Sequence, residues 1–291
     1  MTAIGFIGIG VMGKSMAGHL LAAGHDVHVY TRTKEKALDL VGKGAVWEES
    51  PAHVAKKATV VMTMVGYPHD VEEVYMGEEG LFAHAIEGTI FIDFTTSTPS
   101  LAKTLYEEAK IHSMHTLDAP VSGGDIGARD ARLAIMVGGD EEVYEKCVPL
   151  LQLLGTNVIY QGAAGAGQHT KMCNQIAIAS NMLGVCEALA YAKGAGLDEE
   201  KVLQSISTGA AGSWSLSNLA PRMLQDDFDP GFYIKHFVKD MGIARSEAEG
   251  MGVSAPGLDL AYKLYELLIE KGEENSGTQA LYKYYTNKLE G

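Results

Sequence analysis

The sequence predicts an α/β protein in which a doubly wound, mostly parallel sheet is followed by an all-α C-terminal domain, the two joined by one long helix. Three observations carry that expectation. β-favouring runs alternate with helical patterns through residues 1–163, a glycine-rich turn follows the first run, and the pattern beyond residue 163 is helical throughout. A chain of 291 residues has room for two domains at roughly 100–200 residues each. The expected division is 1–163 and 164–291.

Residues 3–9 form a short apolar strand pattern, and Gly8-Ile9-Gly10-Val11-Met12-Gly13 follows it directly. Met16, Leu20 and Leu21 then recur at helical spacing across 15–23, Gly24 stops the helix, and 27–30 reads as a second strand. Strand, glycines, helix and strand in one short unit give the G-x-G-x-x-G pattern its meaning as a Rossmann dinucleotide-binding fingerprint. Gly8 permits the tight turn, Gly10 lets backbone approach a pyrophosphate, and Gly13 lets the helix press on the strand. The helix start supplies amide donors and partial positive charge for that phosphate. Ile9, Val11 and Met12 fill the same loop and are expected on the cofactor. An ordinary βα turn with incidental glycines is the rival reading, and the context weighs against it.

The end of the second strand bears on which dinucleotide binds. NAD calls for an Asp or Glu about 20 residues beyond the glycines. Here Tyr30-Thr31-Arg32-Thr33 offers no acid before Glu35. Arg32 suits a 2′-phosphate and an adenine face, with hydroxyls from Thr31 and Thr33 beside it. NADP is therefore favoured, with NAD possible; a solvated Arg32 is the plainer alternative.

The rhythm continues with a strand at 59–65, whose end puts Met64 and Val65 among the expected cofactor contacts, and a helix at 70–76. A strand at 89–94 contains Asp93, and 95–98 with Pro99 caps a helix at 100–110. Strands at 114–117 and 133–137, a helix at 141–154 and a strand at 157–160 complete the region. Ligands of such sheets lie beyond the strands' carboxyl ends. Two loops there carry polar groups: the hydroxyl run 95–98, and Asp118-Ala119-Pro120-Val121-Ser122-Gly123-Gly124, whose amides suit a carboxylate. Local chemistry does not choose between them, and capping or a plain turn accounts for either.

Between Gly165 and Gly194 runs one long helix, mostly apolar around its circumference. Lys171 breaks that rule in its first turns, with Asn174 and Gln175 at i+3 and i+4 on the same face. A lysine on a buried helix either snorkels or lines a cavity, and the companion amides favour the cavity. Cys173 and Cys186 on this helix are expected in the core. With Cys147 they make an odd number without C-x-x-C spacing, so neither a disulfide framework nor a zinc site is supported. The helix is too polar for a membrane span, and the N-terminus lacks a basic region before its apolar run, so a cytoplasmic protein is expected. The net charge of −14 disfavours nucleic acid and anionic membranes as partners, though not a small anionic ligand.

Helices are expected at 199–207, 216–223, 236–250, 258–271 and 278–289, with a loop from Phe228 to Phe232. A helical domain on a long linking helix is expected to leave a cleft for ligand. The apolar content of these helices suggests a homodimer or homotetramer. Residues 210–218, around Trp214, read equally as a substrate-side loop or a packing turn, and His236 as an ordinary helix-face residue.

Taken in order, FIGIGVMGKSMAGHL, DAPVSGG, GAGQHTKMCNQ and FVKDMGIA resemble the ordered motifs of the β-hydroxyacid dehydrogenase family, and the resemblance covers nearly the whole chain. It implies that Lys171 is the catalytic acid/base and that Ser122, Gly123 and Gly124 hold the substrate carboxylate. Asn174 and Gln175 would position Lys171 or the substrate oxygen, Thr96 would face the nicotinamide, and Lys239 would close over the cofactor. Phe232 and Asp240 match positions near the site in the reductase branch, and Arg32 resembles the arginine of NADP-preferring members. The chain departs from the family at His19 and Gln175, where many members carry Asn, and at Ala131-Arg132-Leu133, usually Gly-Thr-Leu; Arg132 would either alter the substrate mouth or face solvent.

The implied reaction interconverts a short 3-hydroxy acid and its semialdehyde by hydride transfer, in the reducing direction with NADPH. A lysine ammonium stabilises charge on the carbonyl oxygen and donates its proton. In oxidation the amine must first deprotonate from a reference pKa of about 10.4, which burial should lower. No metal is called for. Two rivals share parts of the pattern: an imine reductase, which typically lacks a lysine at the matching position, and a non-catalytic NADP-binding regulatory protein.

Overall fold

The computed structural model describes residues 2–289 and divides into two compact units, Met1–Lys171 and Met172–Gly291. Among the described residues the first unit holds a nine-stranded sheet. Its strands are β1 (Ala3–Ile7), β2 (Asp26–Tyr30), β3 (Val46–Trp47), β4 (Val60–Thr63), β5 (Ile90–Asp93), β6 (His115–Asp118), β7 (Val121–Ser122), β8 (Leu133–Gly139) and β9 (Gly155–Gly162). They run in the order β3-β2-β1-β4-β5-β6-β8-β7, with β9 paired to β8. The six strands from β3 to β6 are mutually parallel, whereas β8 is antiparallel to β6 and β7. The helices between them are α1 (Val11–Ala22), α2 (Leu38–Gly42), α3 (Pro51–Ala55), α4 (Pro68–Met76), α5 (Pro99–Ile111), α6 (Gly124–Arg129) and α7 (Glu141–Leu151).

The central strands β1, β4 and β5 are apolar for most of their length because the sheet is covered on both faces there. Ile4 and Phe6 of β1 and Val60 and Met62 of β4 pack with Met16 and Leu20 of α1. Their neighbours Ile7 and Val61 point the other way, into a core with Val54, Val71, Tyr75 and Leu105. Successive residues serve opposite cores, as the pleat requires.

The first strand ends at Ile7 and not at residue 9, because Gly8 leaves the β region with φ +97°. Several short elements arise where the sequence showed no periodicity: a 3₁₀ turn at Lys34–Ala37, then α2, β3, α3, β7 and α6. Each is too short for a repeat to declare itself. The Ser122-Gly123-Gly124 segment, expected as a loop, ends β7 and opens α6, with Gly123 at the N-cap at φ +129°.

The long helix α8 (Ala166–Gly194) begins in the first unit and continues into the second. There it is followed by α9 (Glu199–Ile206), α10 (Trp214–Asn218), α11 (Ala220–Leu224), α12 (Ile234–Gly250), α13 (Pro256–Glu270) and α14 (Tyr282–Tyr285). Met182, Cys186 and Leu189 of α8 share a core with Phe237 and Met241 of α12 and Tyr265 and Leu268 of α13. The expected helix at 216–223 is two, because Pro221 in the first turn of α11 has no N–H to continue the bonding of α10. The expected helix at 278–289 is a 3₁₀ turn, Thr278–Leu281, and then α14. Tertiary ties account for the tighter turn: Tyr265 Oη donates to the Thr278 carbonyl at 2.7 Å, and Gln279 Nε2 donates to the carbonyls of Asp227 and Asp229 at 3.1 and 3.0 Å.

The long helix is not buried all round. Cys173, Ala177, Ser180, Gly184, Glu187 and Tyr191 form an exposed line along it, so Cys173 is a surface thiol and only Cys186 belongs to the core. Among the described residues, no helix is long and apolar enough to cross a membrane.

Candidate active site

The register of the sheet sets Tyr30, Ile7, Thr63, Asp93 and Asp118 side by side at the carboxyl ends of β2, β1, β4, β5 and β6. The candidates of the first unit follow one step beyond this row. Thr31, Arg32 and Thr33 follow β2, and Gly8, Ile9 and Gly10 follow β1. Met64 and Val65 follow β4, Thr96 follows β5, and Ser122, Gly123 and Gly124 come after β6.

The glycine loop has the shape a pyrophosphate needs. A Cβ on Gly8 would lie 2.1 Å from the Met64 carbonyl oxygen, and one on Gly13 would lie 2.0 Å from the Gly8 oxygen. At Gly10 a Cβ would meet nothing within 4 Å. Gly8 and Gly13 are therefore required by the fold, whereas Gly10 faces open space. Helix α1 starts there with no side-chain cap and no acid in its first turn, so its free amides suit an anion. These residues fit a dinucleotide.

A buried network fixes the neighbouring loop. Thr63 Oγ1 donates to Asp93 Oδ1 at 2.7 Å, and the same carboxylate oxygen accepts the Thr95 N–H at 3.0 Å. Thr95 Oγ1 in turn accepts the Val65 N–H at 3.0 Å. Tyr75 Oη lies 3.0 Å from Thr63 Oγ1, and burial pushes its phenol well above the usual range. Thr96 stands between Thr95 and Ser97, both of which are buried.

Lys171 is 6% exposed, and its Nζ donates to the Val121 carbonyl at 2.9 Å, one residue before Ser122. It lines a buried polar corner and does not snorkel. The first turn of α8 is held by Asp118, which accepts the Gly165 N–H at 2.7 Å and the Gln168 N–H at 2.8 Å. Burial pushes Asp118 up to about 6 in spite of these bonds, which pull it down. A Cβ at Gly167 would lie 2.5 Å from the Asp118 carbonyl oxygen, so the close approach of helix and strand needs that glycine. The sequence did not reveal Asp118 as a helix cap, nor Gln168 as a bridging side chain; their only sign was position, a strand end and a helix start.

In the second unit four candidates form one chain of contacts. Asn174 Nδ2 donates to Gln175 Oε1 at 2.7 Å, and Gln175 Nε2 donates to Asp240 Oδ2 at 2.6 Å. The Lys239 ammonium lies 3.0 Å from Asp240 Oδ1, an ion-pair contact without hydrogen-bond alignment. Phe232 packs on Phe237, ring centres 5.7 Å apart.

The Arg32 side chain is 79% exposed, with Nη1 3.1 Å from Asp70 Oδ1. Arg132 is a surface residue paired with Asp130 at 2.8 Å. His19 Nε2 lies 3.0 Å from the carbonyl oxygens of both Ala128 and Arg129, so it carries the proton and donates to the end of α6. His236 packs edge-on against Tyr233, and Trp214 is exposed at the start of α10.

A family model described as the NAD binding domain of 6-phosphogluconate dehydrogenase matches residues 3–162. A second, described as NAD-binding of NADP-dependent 3-hydroxyisobutyrate dehydrogenase, matches residues 165–285. With the sheet and its glycine loop, these matches make the chain an NAD(P)-dependent oxidoreductase. An uncharacterized oxidoreductase, YkwC, of Bacillus subtilis (strain 168) is 63% identical over 282 residues, 97% of this chain and 98% of that protein. The 2-hydroxy-3-oxopropionate reductase of Escherichia coli (strain K12) is 37% identical over 278 residues, covering 96% of this chain and 95% of the reductase. The solved structure of Mycobacterium tuberculosis 3-hydroxyisobutyrate dehydrogenase with L-serine superposes with a TM-score of 0.89 at 31% identity, covering 98% of this chain and 99% of that one. The chain belongs to the β-hydroxyacid dehydrogenase family, whose chemistry is NAD(P)-dependent oxidoreduction at the CH–OH group of a hydroxy acid.

Proposed function

We propose that the chain is an NADPH-dependent reductase of short aldehyde acids, with Lys171 as the group that gives and takes the proton. The observation that most supports this reading is the buried Lys171 ammonium, bonded at the carbonyl that precedes Ser122. Gly8, Gly10 and Gly13 and the start of α1 hold the pyrophosphate, with Ile9, Val11, Met12, Met64 and Val65 lining the dinucleotide. Arg32 pairs with the 2′-phosphate between the hydroxyls of Thr31 and Thr33, and its high exposure leaves it able to turn from Asp70 toward a ligand. Thr96 faces the nicotinamide.

Ser122 and the amides of Gly123 and Gly124 hold the substrate carboxylate. An acid, Asp125, stands in the first turn of α6, so this attraction rests on directed N–H and O–H donors and not on local net charge. When bound, the reduced cofactor supplies hydride to the aldehyde carbon. As negative charge grows on the carbonyl oxygen, the Lys171 ammonium stabilises it and passes over its proton, leaving an alcohol and a neutral amine. In the reverse direction the neutral amine takes the hydroxyl proton. Gln175, with both amide ends engaged, orients Asn174 toward the reacting oxygen, and Asp240 anchors both Gln175 and Lys239. Phe232 shapes the substrate side, and Lys239 closes on the cofactor. Residues 1–163 then form the cofactor domain, which also lends Ser122–Gly124 to the substrate, and 164–291 the substrate and self-association domain, in a cytoplasmic homo-oligomer.

The test is cofactor oxidation with NADPH and NADH across glyoxylate, succinic semialdehyde, tartronate semialdehyde and methylmalonate semialdehyde. The expected outcome is turnover of at least one of them with a higher kcat/KM for NADPH. Turnover confined to cyclic imines, or none with any acid, would sink the proposal.

A further inference from the structure

One side chain ties the loop after β5 to the helix that carries Lys171. Gln168 is fully buried; its Nε2 donates to the Thr95 carbonyl at 2.8 Å, and its Oε1 accepts the Ser97 N–H at 3.0 Å. Both ends of the amide are used, and the two bonded residues flank Thr96. The backbone N–H of the same residue donates to Asp118, and Lys171 follows one helical turn later. The Thr95–Ser97 loop and the Lys171 ammonium therefore take their spacing from a single turn of α8.

Each partner is also held without Gln168. The loop is fastened to the sheet through Asp93 and Val65, and the helix start is fastened to β6 through Asp118. Removing the Gln168 amide leaves both elements anchored at their bases to adjacent strands and loosens only the fit of the Thr95–Ser97 backbone against the first turn of α8. Proton and hydride transfers are sensitive to such a fit, a displacement of about 1 Å costing on the order of 10²-fold in rate.

We propose that Gln168 is a positioning residue for turnover, fixing the distance between the Lys171 ammonium and the Thr95–Ser97 loop. The proposal rests on the reading of Lys171 as the proton donor. It extends that reading to a side chain that touches neither substrate nor cofactor.

Gln168→Glu gives a switchable test. A protonated glutamic acid donates to the Thr95 carbonyl and accepts from Ser97 as glutamine does, whereas a carboxylate accepts only and sets negative charge against the Thr95 oxygen. Asp93, Asp118 and Tyr75 line the same small cavity as Gln168, of about 10 Å³, and Lys171 stands on the next turn. Burial and the two aspartates push a glutamate there toward its neutral form, which brings the switch into a usable pH range. Taking kcat as the ratio of variant to wild type at each pH removes the pH dependence that the two proteins have in common, and the Gln168→Leu ratio, which adds no carboxylate, shows how much pH dependence remains without one.

The expected result is a Gln168→Glu ratio that climbs toward unity as pH falls, with little change in the KM for NADPH. Gln168→Leu, which can make neither bond, should lose about tenfold to a hundredfold in kcat at every pH while still binding NADPH. With deuteride in place of the transferred hydride, Gln168→Leu should show a larger isotope effect than wild type. A Gln168→Glu ratio that is flat with pH, or a folded Gln168→Leu enzyme within about twofold of wild-type kcat, overturns the proposal. If Gln168→Leu does not fold, the pH ratio of Gln168→Glu decides alone. Lys171→Ala, assayed alongside, separates the two claims. A dead Lys171→Ala beside normal Gln168 variants removes only the positioning role, whereas an active Lys171→Ala removes the reading on which it rests.

Discussion

At the scale of single residues, two buried ionisable groups share one corner of the first unit and serve it differently. On the proposed mechanism Lys171 holds its charge for chemistry, whereas Asp118 serves architecture. Asp118 accepts two N–H groups that the start of α8 would otherwise leave unpaired. Asp118→Asn turns one acceptor into a donor facing a donor, and should cost about 1–3 kcal/mol at neutral pH. The pH dependence has a definite sign. Asp118 sits at about 6 in the folded chain against an ordinary 3.8, so the folded state holds this proton more tightly than the unfolded one. Its contribution to stability therefore falls as pH rises from about 4 to about 6 and is level above. Asparagine does not titrate, so the stability gap between wild type and Asp118→Asn, read from urea unfolding, should narrow as pH rises through that window; a widening gap contradicts the assignment. Lys171 stood out in the sequence as a charge on an apolar helix. Asp118 did not, because its partners lie 47 and 50 residues away and no local pattern links them.

At the scale of elements, the glycine loop separates what folding requires from what binding requires. Gly13→Ala drives a Cβ to 2.0 Å from the Gly8 backbone oxygen, which cannot yield as a side-chain end can. It should lower the melting temperature and NADPH affinity together, with an overpacking cost of about 1–3 kcal/mol. Gly10→Ala meets nothing within 4 Å and has φ −87°, a value any residue adopts, so it should leave the melting temperature unchanged and weaken NADPH binding alone. Thermal melts and fluorescence titration of the two variants check the contrast; equal effects on stability would argue against it. Most elements were legible beforehand, among them β1, α1, β2, β4, α4, β5, α5, β6, β8, α7, β9, α8, α9, α12 and α13, because each carries a repeat, a cap or an apolar run that names it. Those misread were set by distant contacts or by single residues, as Pro221 sets the break between α10 and α11, and as the ties of Thr278 and Gln279 set the 3₁₀ turn.

At the scale of the whole molecule, the family matches span both units, and the glycine loop, the Thr95–Ser97 loop and the Ser122–Gly124 turn all lie along one edge of one sheet. That edge was foreseeable, since the alternation of strands and helices dictates a parallel sheet and a parallel sheet collects its loops at the carboxyl ends. The support behind it, Asp93, Asp118 and Gln168, was not, because buried polar networks are built across the sheet and leave no periodic trace in the chain. The net charge of −14 offers a small anionic substrate no general attraction, so on the proposed reading recognition would fall to the directed donors of Ser122–Gly124 and to Lys171. The central claim is that Lys171 carries the proton for hydride transfer. Its most direct test is the turnover of Lys171→Ala with NADPH and the best aldehyde acid, measured beside the variant's NADPH affinity. The account predicts a kcat lower by about 10²–10⁴-fold with cofactor affinity retained; a near-normal kcat in the folded variant would contradict it.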